Sequence, residues 1–431
     1  MSITIRSLQA LEILDSRSRP TIAVTLTTAH GATFRAGVPS GASTGSGEAV
    51  ELRDRDTNRY GGAGVLAAAG NVNLRMNDAL AGREFSDLAE LDQAMIALDG
   101  TANKSSLGAN AIIGVSMAAA RAFAAAAEVP LWQYLTPPGV SPALPTPHFN
   151  VVNGGAHAPN KLDFQEFMLA PLGMASYAEA VRAGAEVYAA LKARLGKAGH
   201  ATGLGDEGGF APDLDRPEDV LETIVAAITD AGYKPGTDGV AIALDPAASE
   251  FFRGGSYHHA GQTLSSDDMI GYYTGLVSQF PIWSIEDGLA ENDDDGWIRL
   301  TAALGDKIQL VGDDNFVTNP AIIRQAISDG VGNAALIKVN QIGTVTETLE
   351  ALAVCRDAGY AAMISHRSGE TEDAFIADLA VGSGCGQIKS GAPARGERVA
   401  KYNRLLEIAA LNPELQYRQT STSPLGRVGE A

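Results

Sequence analysis

Apolar and polar positions alternate along residues 3–38, most cleanly over 21–28 and 32–38, with His30-Gly31 as a turn between them. A period of two predicts strands joined by a hairpin. From Glu48 to about Glu128 the pattern changes, and Ala, Leu and Val recur at steps of three and four, which predicts helices. Strands followed by helices make a small α+β unit, assigned here to residues 1–138. It ends at Thr136-Pro137-Pro138-Gly139-Val140-Ser141-Pro142, the best linker in the chain.

Over residues 139–418 one theme repeats: a short apolar run, a polar residue at its end, then a helical stretch. The run endings are Asp245, Glu286, Asp313, Lys338, His366 and Lys389, separated by 41, 27, 25, 28 and 23 residues. Each gap suits about one βα unit, so an α/β barrel is predicted, in which the strand ends converge on one mouth. Residues 419–431 are rich in Ser, Thr, Gly and Pro and are predicted to fray.

Composition narrows the function. Hydrophobic residues make up 45% and charged residues 19% of 431, which suits a well-cored globular chain. A net charge of −19 argues against nucleic acid or an acidic membrane as partner. Cys355 and Cys385 are too few for a disulfide framework and fit a reducing cytoplasm. No signal peptide is visible at the N-terminus. The apolar run 109–131 is interrupted by Asn110, Ser116, Arg121 and Glu128, and reads as a buried helix, not a membrane span.

The barrel mouth carries the candidate chemistry. Asp245, Glu286 and Asp313 close successive strands, and three hard oxygen ligands are what Mg²⁺ takes. Singly, each also suits a helix N-cap. Lys338, placed mid-strand in Ala335-Leu336-Ile337-Lys338-Val339-Asn340, is costly there without a carboxylate or a task. It could serve as a base, as a Schiff-base lysine or in a structural ion pair. Gly205-Asp206-Glu207-Gly208-Gly209 brings Glu207 near a ligand or forms a plain acidic turn. Residues 39–47 make a hydroxyl-rich loop without the Lys of a P-loop: a lid, or a surface hairpin. Arg367 and Ser368 after His366 could grip a phosphate or carboxylate, with Lys389 adding a cation.

Together these residues resemble the enolase family (phosphopyruvate hydratases) over nearly the whole chain. The matching stretches are 15–17 (DSR), 40–45 (SGASTG), 153–155 (NGG), 165–168 (QEFM), 205–209 (GDEGG), 337–343 (IKVNQIG) and 365–373 (SHRSGETED). The resemblance implies an atypical α/β barrel opening with two strands and two helices, behind a smaller N-terminal α+β capping domain. It implies a cytoplasmic, glycolytic lyase that dehydrates 2-phosphoglycerate to phosphoenolpyruvate with two Mg²⁺ ions. Asp245, Glu286 and Asp313 match ligands of the first ion and Ser43 a ligand of the second. Lys338 matches the base that takes the C2 proton, and Glu207 the acid that helps the C3 hydroxyl leave. His157, Gln165, Glu166, His366, Arg367, Ser368 and Lys389 match substrate-handling positions.

The sequence also departs from the family. Ser18 and Arg19 stand where Gly and Asn are usual; Ala156 and Pro159 alter the mobile loop, and Asp294 replaces a Trp. Leu11, Ala23, Glu407 and Ala410 stand where charged residues pair across the family's dimer, so a homo-oligomer with an altered interface is expected. This drift around an intact chemical core suggests a paralogue. The alternative is an enzyme such as carboxyphosphonoenolpyruvate synthase, acting on a phosphonate. A non-catalytic protein on the same fold is opposed by the intact Lys338, Glu207 and three carboxylates.

Overall fold

The alternating N-terminal segment forms an antiparallel sheet in a computed structural model that describes residues 2–42 and 45–417. Strands β1 (Ile3–Leu14), β2 (Pro20–Thr28), β3 (Thr33–Gly37) and β4 (Glu84–Phe85) lie in the order β3-β2-β1-β4. Ile5, Leu8, Ile22, Val24 and Leu26 bury one face of that sheet. The helix Ala109–Ala126 packs against it and is 83% buried, so its apolar length serves the core, as expected. Contact is close enough that a Cβ at Gly114 would come 2.6 Å from a methyl of Val24.

The helical expectation for the start of the 48–128 segment does not hold. Residues 48–59 form no helix, and the first α-helix of the region is Leu66–Asn71. Their backbone bonds go to distant partners instead: Ala49 N–H to Gln341 O at 2.8 Å and Val50 N–H to Asn103 O at 2.8 Å. Arg53 adds bonds to the carbonyls of Pro20 and Ala63. Long-range bonding replaces the i→i−4 ladder, and apolar spacing carries no information about that choice.

The remaining strands are β5 (Thr146–Asn153), β6 (Glu166–Ala170), β7 (Ala241–Asp245), a small outer sheet β8 (Phe252–Arg253), β9 (Ser256–His259) and β10 (Gln262–Leu264), then β11 (Ile282–Glu286), β12 (Gln309–Gly312), β13 (Ala334–Ile337), β14 (Ala361–Ser365) and β15 (Gln387–Lys389). Strands β11 to β15 continue through β5, β6 and β7 into a closed barrel. Only β6 runs antiparallel to its neighbours. Helices Tyr177–Lys197 and Pro217–Asp230 both precede β7, so the barrel opens strand-strand-helix-helix, the atypical order expected. Because β6 is reversed, its first residue, Glu166, pairs with the last residue of β7, Asp245. That inversion puts Glu166 at the mouth.

Asp245, Glu286 and Lys389 are the last residues of their strands, and Asp313, Lys338 and His366 stand one residue beyond theirs. The mid-strand placement expected for Lys338 is therefore corrected: β13 ends at Ile337, and Lys338 caps the single-turn helix Val339–Ile342. The backbone turns there because Lys338 N–H is taken by the Thr318 hydroxyl at 2.9 Å. Ser43 and the 419–431 tail lie outside the described residues.

Candidate active site

The charged groups at the mouth are buried, apart from the half-buried Lys338 and Asp314, so each is defined by its partners. Lys389 Nζ donates to both oxygens of Glu286 at 2.8 Å and to Asp245 Oδ2 at 3.1 Å, and lies 3.2 Å from Glu166 Oε2. Burial disfavours this ammonium, but Glu166, Glu286 and Asp245 outweigh it and hold its pKa well above the ordinary value. Lys338 donates to Asp313 Oδ2, and Asp313 Oδ1 accepts from Gln341 Nε2 at 2.8 Å.

A second group centres on Glu207. Its Oε2 accepts from Asn150 at 2.9 Å and lies 3.2 Å from His366 Nε2, while His157 Nδ1 sits 3.7 Å from both Glu207 and Glu166. Burial raises both carboxyls, but His366 and His157 reverse the direction at Glu207 and hold it well below the carboxylate range. Glu166 has Glu207 as a repelling neighbour and is pushed well up. The two neighbouring acids are thus shifted in opposite directions, Glu166 up and Glu207 down. His157 is presented by the turn Gly155–His157, whose lead-in Gly154 leaves no room for a side chain, since a Cβ would meet Phe164 O at 2.4 Å.

Arg367 completes the cleft. Its guanidinium is bonded to both oxygens of Glu48 at 3.0 and 3.1 Å and to Asn340 Oδ1 at 3.1 Å. Ser368 is buried beside it, and His157, Gln165, Glu166, Glu207, Asp245, Asp313, Lys338, His366, Arg367, Ser368 and Lys389 line one narrow cleft.

The donor set fits a divalent cation. Lys338, Arg367 and Lys389 are outnumbered by Glu166, Glu207, Asp245, Glu286, Asp287, Asp313 and Asp314. Burial and mutual repulsion push Glu286 and Asp287 well up and Asp314 to about 7. Buried polar atoms of Gln165 (Oε1) and His157 (Nδ1) lack a hydrogen-bond partner. Hard oxygens in excess negative charge are what Mg²⁺ binds. Asp287, Asp313 and Asp314 bring ligand atoms within 4.8 Å of one another, as do His157, Glu166 and Glu207. Among the described residues the trio Asp245, Glu286 and Asp313 does not form so tight a group, because Lys389 bridges the first two and Lys338 takes the third.

Comparison with known proteins decides the family. Residues 5–135 match the family model described as Enolase, N-terminal domain, and residues 141–423 that described as Enolase, C-terminal TIM barrel domain. Over 399 residues, 92% of each chain, the sequence is 56% identical to the Enolase of Rubrobacter xylanophilus. The chain belongs to the enolase family.

This enolase-family chain is an enzyme of the hydro-lyase type that the family performs. The likeness gives no support to the phosphonate alternative, and the Schiff-base and non-catalytic readings fall with it. Arg19, Ala156 and Pro159 are exposed, and Asp294 opens the helix Asp294–Leu304, where an acidic first turn suits the helix dipole.

Several residues of this enolase-family site were not anticipated. Asp287 accepts the backbone N–H of Asp313 at 2.8 Å and of Asp314 at 3.1 Å, holding the β12 end in place. Asp287 and Asp314 each follow an anticipated acid directly, and that doubling was the available signal. Glu48, Asn150, Asn340 and Gln341 carry no signal in spacing; they are recognised only by what they touch.

Proposed function

We propose that this hydro-lyase dehydrates 2-phosphoglycerate to phosphoenolpyruvate in the cytoplasm, with two Mg²⁺ ions. Asp245, Glu286 and Asp313 would hold the first and Ser43 would contribute to the second. The observation that carries this reading is the meeting, in one cleft, of Lys338 with the buried neighbouring acids Glu166 and Glu207. Lys338 Nζ, as the neutral amine, takes the C2 proton and leaves the C–H electron pair on C2; that pair then becomes the C2–C3 double bond as the C3–O bond breaks. The departing hydroxyl takes a proton from the Glu166–Glu207 pair and leaves as water. Lys389 and His157 orient that acid pair, Gln165 and His366 border the same space, and Arg367 with Ser368 grips the phosphate. Bound Mg²⁺ supplies the positive charge that stabilises a substrate carboxylate carrying extra electron density.

The test is ultraviolet detection of phosphoenolpyruvate formed from 2-phosphoglycerate, before and after chelation. Turnover should vanish with EDTA and return with Mg²⁺, and Asp245→Asn should weaken Mg²⁺ binding without unfolding the chain. Full turnover after exhaustive chelation would overturn the metal assignment, and no product from the metal-replete enzyme would overturn the substrate.

A further inference from the structure

Arg398 lies on the last helix, Gly396–Leu411, and is 0% exposed. Its guanidinium gathers the segments that build the Glu207 side of the cleft. Nη1 reaches His366 Nδ1 at 2.6 Å and donates to Arg367 O at 2.6 Å. Nη2 donates to Ser368 O at 2.7 Å, Asp206 O at 3.1 Å and Ser16 Oγ at 3.2 Å. A guanidinium has five N–H donors and no acceptor. Nδ1 of His366 must therefore offer its lone pair, and a neutral ring then carries its proton on Nε2.

That nitrogen lies 3.2 Å from Glu207 Oε2. With the proton on Nε2, the ring turns an N–H toward a carboxylate shifted to its ionised form, 3.2 Å away but short of full hydrogen-bond geometry. The opposite tautomer would set lone pair against lone pair at Glu207 and N–H against N–H at Arg398. The ring also stays neutral: burial lowers its pKa to about 4, and Arg398 adds to that while Glu207 opposes it.

We propose that Arg398 is a positioning residue that locks His366 as the Nε2–H tautomer, so that Glu207 always faces a donor. The inference rests on the proposed function only for the roles of Glu207 and His366; the tautomer itself is independent of substrate.

The experiment is ¹⁵N NMR of the full-length enzyme labelled at histidine, with the His366 signals among its seven histidines identified by their loss in His366→Gln. Wild type should show a protonated Nε2 and an unprotonated Nδ1 across neutral pH. Arg398→Gln offers both a donor and an acceptor, so the Nδ1–H form should appear, with kcat lower by about 10–100-fold and KM little changed. Arg398→Lys keeps a donor-only head group, so it should keep the tautomer and recover much of kcat. A protonated Nδ1 in wild type overturns the proposal even if no variant folds. So does a folded Arg398→Gln that loses activity with its tautomer unchanged. If wild type shows the expected tautomer but no phosphoenolpyruvate forms, the proposed function fails and the lock stands.

Discussion

Lys338 gives its ammonium to one oxygen of Asp313, and the other oxygen of that carboxylate accepts from Gln341 at 2.8 Å. Burial opposes the charge on Lys338, but Asp313 outweighs it, so the pKa lies above the ordinary lysine value. The same pairing pulls Asp313 down against its own burial. The candidate base is thus held as an ammonium by a carboxylate at the barrel mouth, and it must give up that proton before it can take one from substrate.

Separate placement of base and acid gives separable defects. Lys338→Ala should abolish both turnover and exchange of the substrate C2 proton with deuterated solvent. Glu207→Gln should stop turnover while exchange persists, since removal of the proton does not need the acid. Losses on the order of 10²–10⁴-fold are expected for groups of this kind. Wild-type exchange in Lys338→Ala would assign the base to another residue.

Asp92 should shape stability against pH. It is buried where the helix Leu88–Asp99 meets the barrel and accepts from Thr346 N–H at 3.0 Å and from the Thr346 hydroxyl. Burial raises its pKa from 3.8 to about 6, against the pull of Thr346 and Ser116. A folded-state value above the unfolded one means that stability is retained below the unfolded pKa and lost as pH rises through the folded one. Asp92→Asn removes that penalty, keeps the acceptor, and should stabilise by on the order of 1–3 kcal/mol near neutral pH. Urea unfolding at about pH 8 and about pH 4 measures the gap, which should shrink at the lower pH as Asp92 takes up its proton. An equal gap at both would contradict the assignment.

Ser18 holds φ at +59°, in the region that costs an L residue and favours glycine. It cannot relax easily, because Asp15 Oδ1 accepts the N–H groups of both Arg17 and Arg19 at 2.8 Å. The Ser18 side chain is exposed, so little packing is lost in Ser18→Gly. That variant should gain about 0.5–1 kcal/mol and melt a few degrees higher. A lower melting temperature would mean that the hydroxyl matters more than the backbone.

Association between copies should be insensitive to salt. Leu11, which pairs across the sheet with Ala23, is 58% exposed, and the Glu407 carboxylate is already bonded to Arg404 of its own chain at 2.6 Å. Exposed ion pairs contribute about 0–1 kcal/mol each, so lost charges at these positions need not prevent assembly. Sedimentation at low and high salt should show one assembly state, and steep dissociation with salt would count against an interface without ion pairs.

The sequence by itself determined the spacing of the barrel strands and the identity of the groups that end them. Both follow from local rules: a short apolar run makes a strand, and in a closed barrel its end must face the mouth. It was equally sufficient for the first strands of the N-terminal sheet and for a buried helix within the apolar run 109–131, though not for β4, which lies in the segment expected to be helical. Tertiary structure decided the rest. Residues 48–59 abandoned helix because their N–H groups found distant carbonyls, and Lys338 moved past the strand because Thr318 took its backbone. Glu166 reached the mouth only through the reversal of β6. Pairing was decided there too: which carboxylates hold Lys389, that Glu166 and Glu207 meet, and that Arg398 caps His366. These outcomes depend on distances of a few ångströms between segments far apart in the chain, and on burial that makes each unpaired charge expensive.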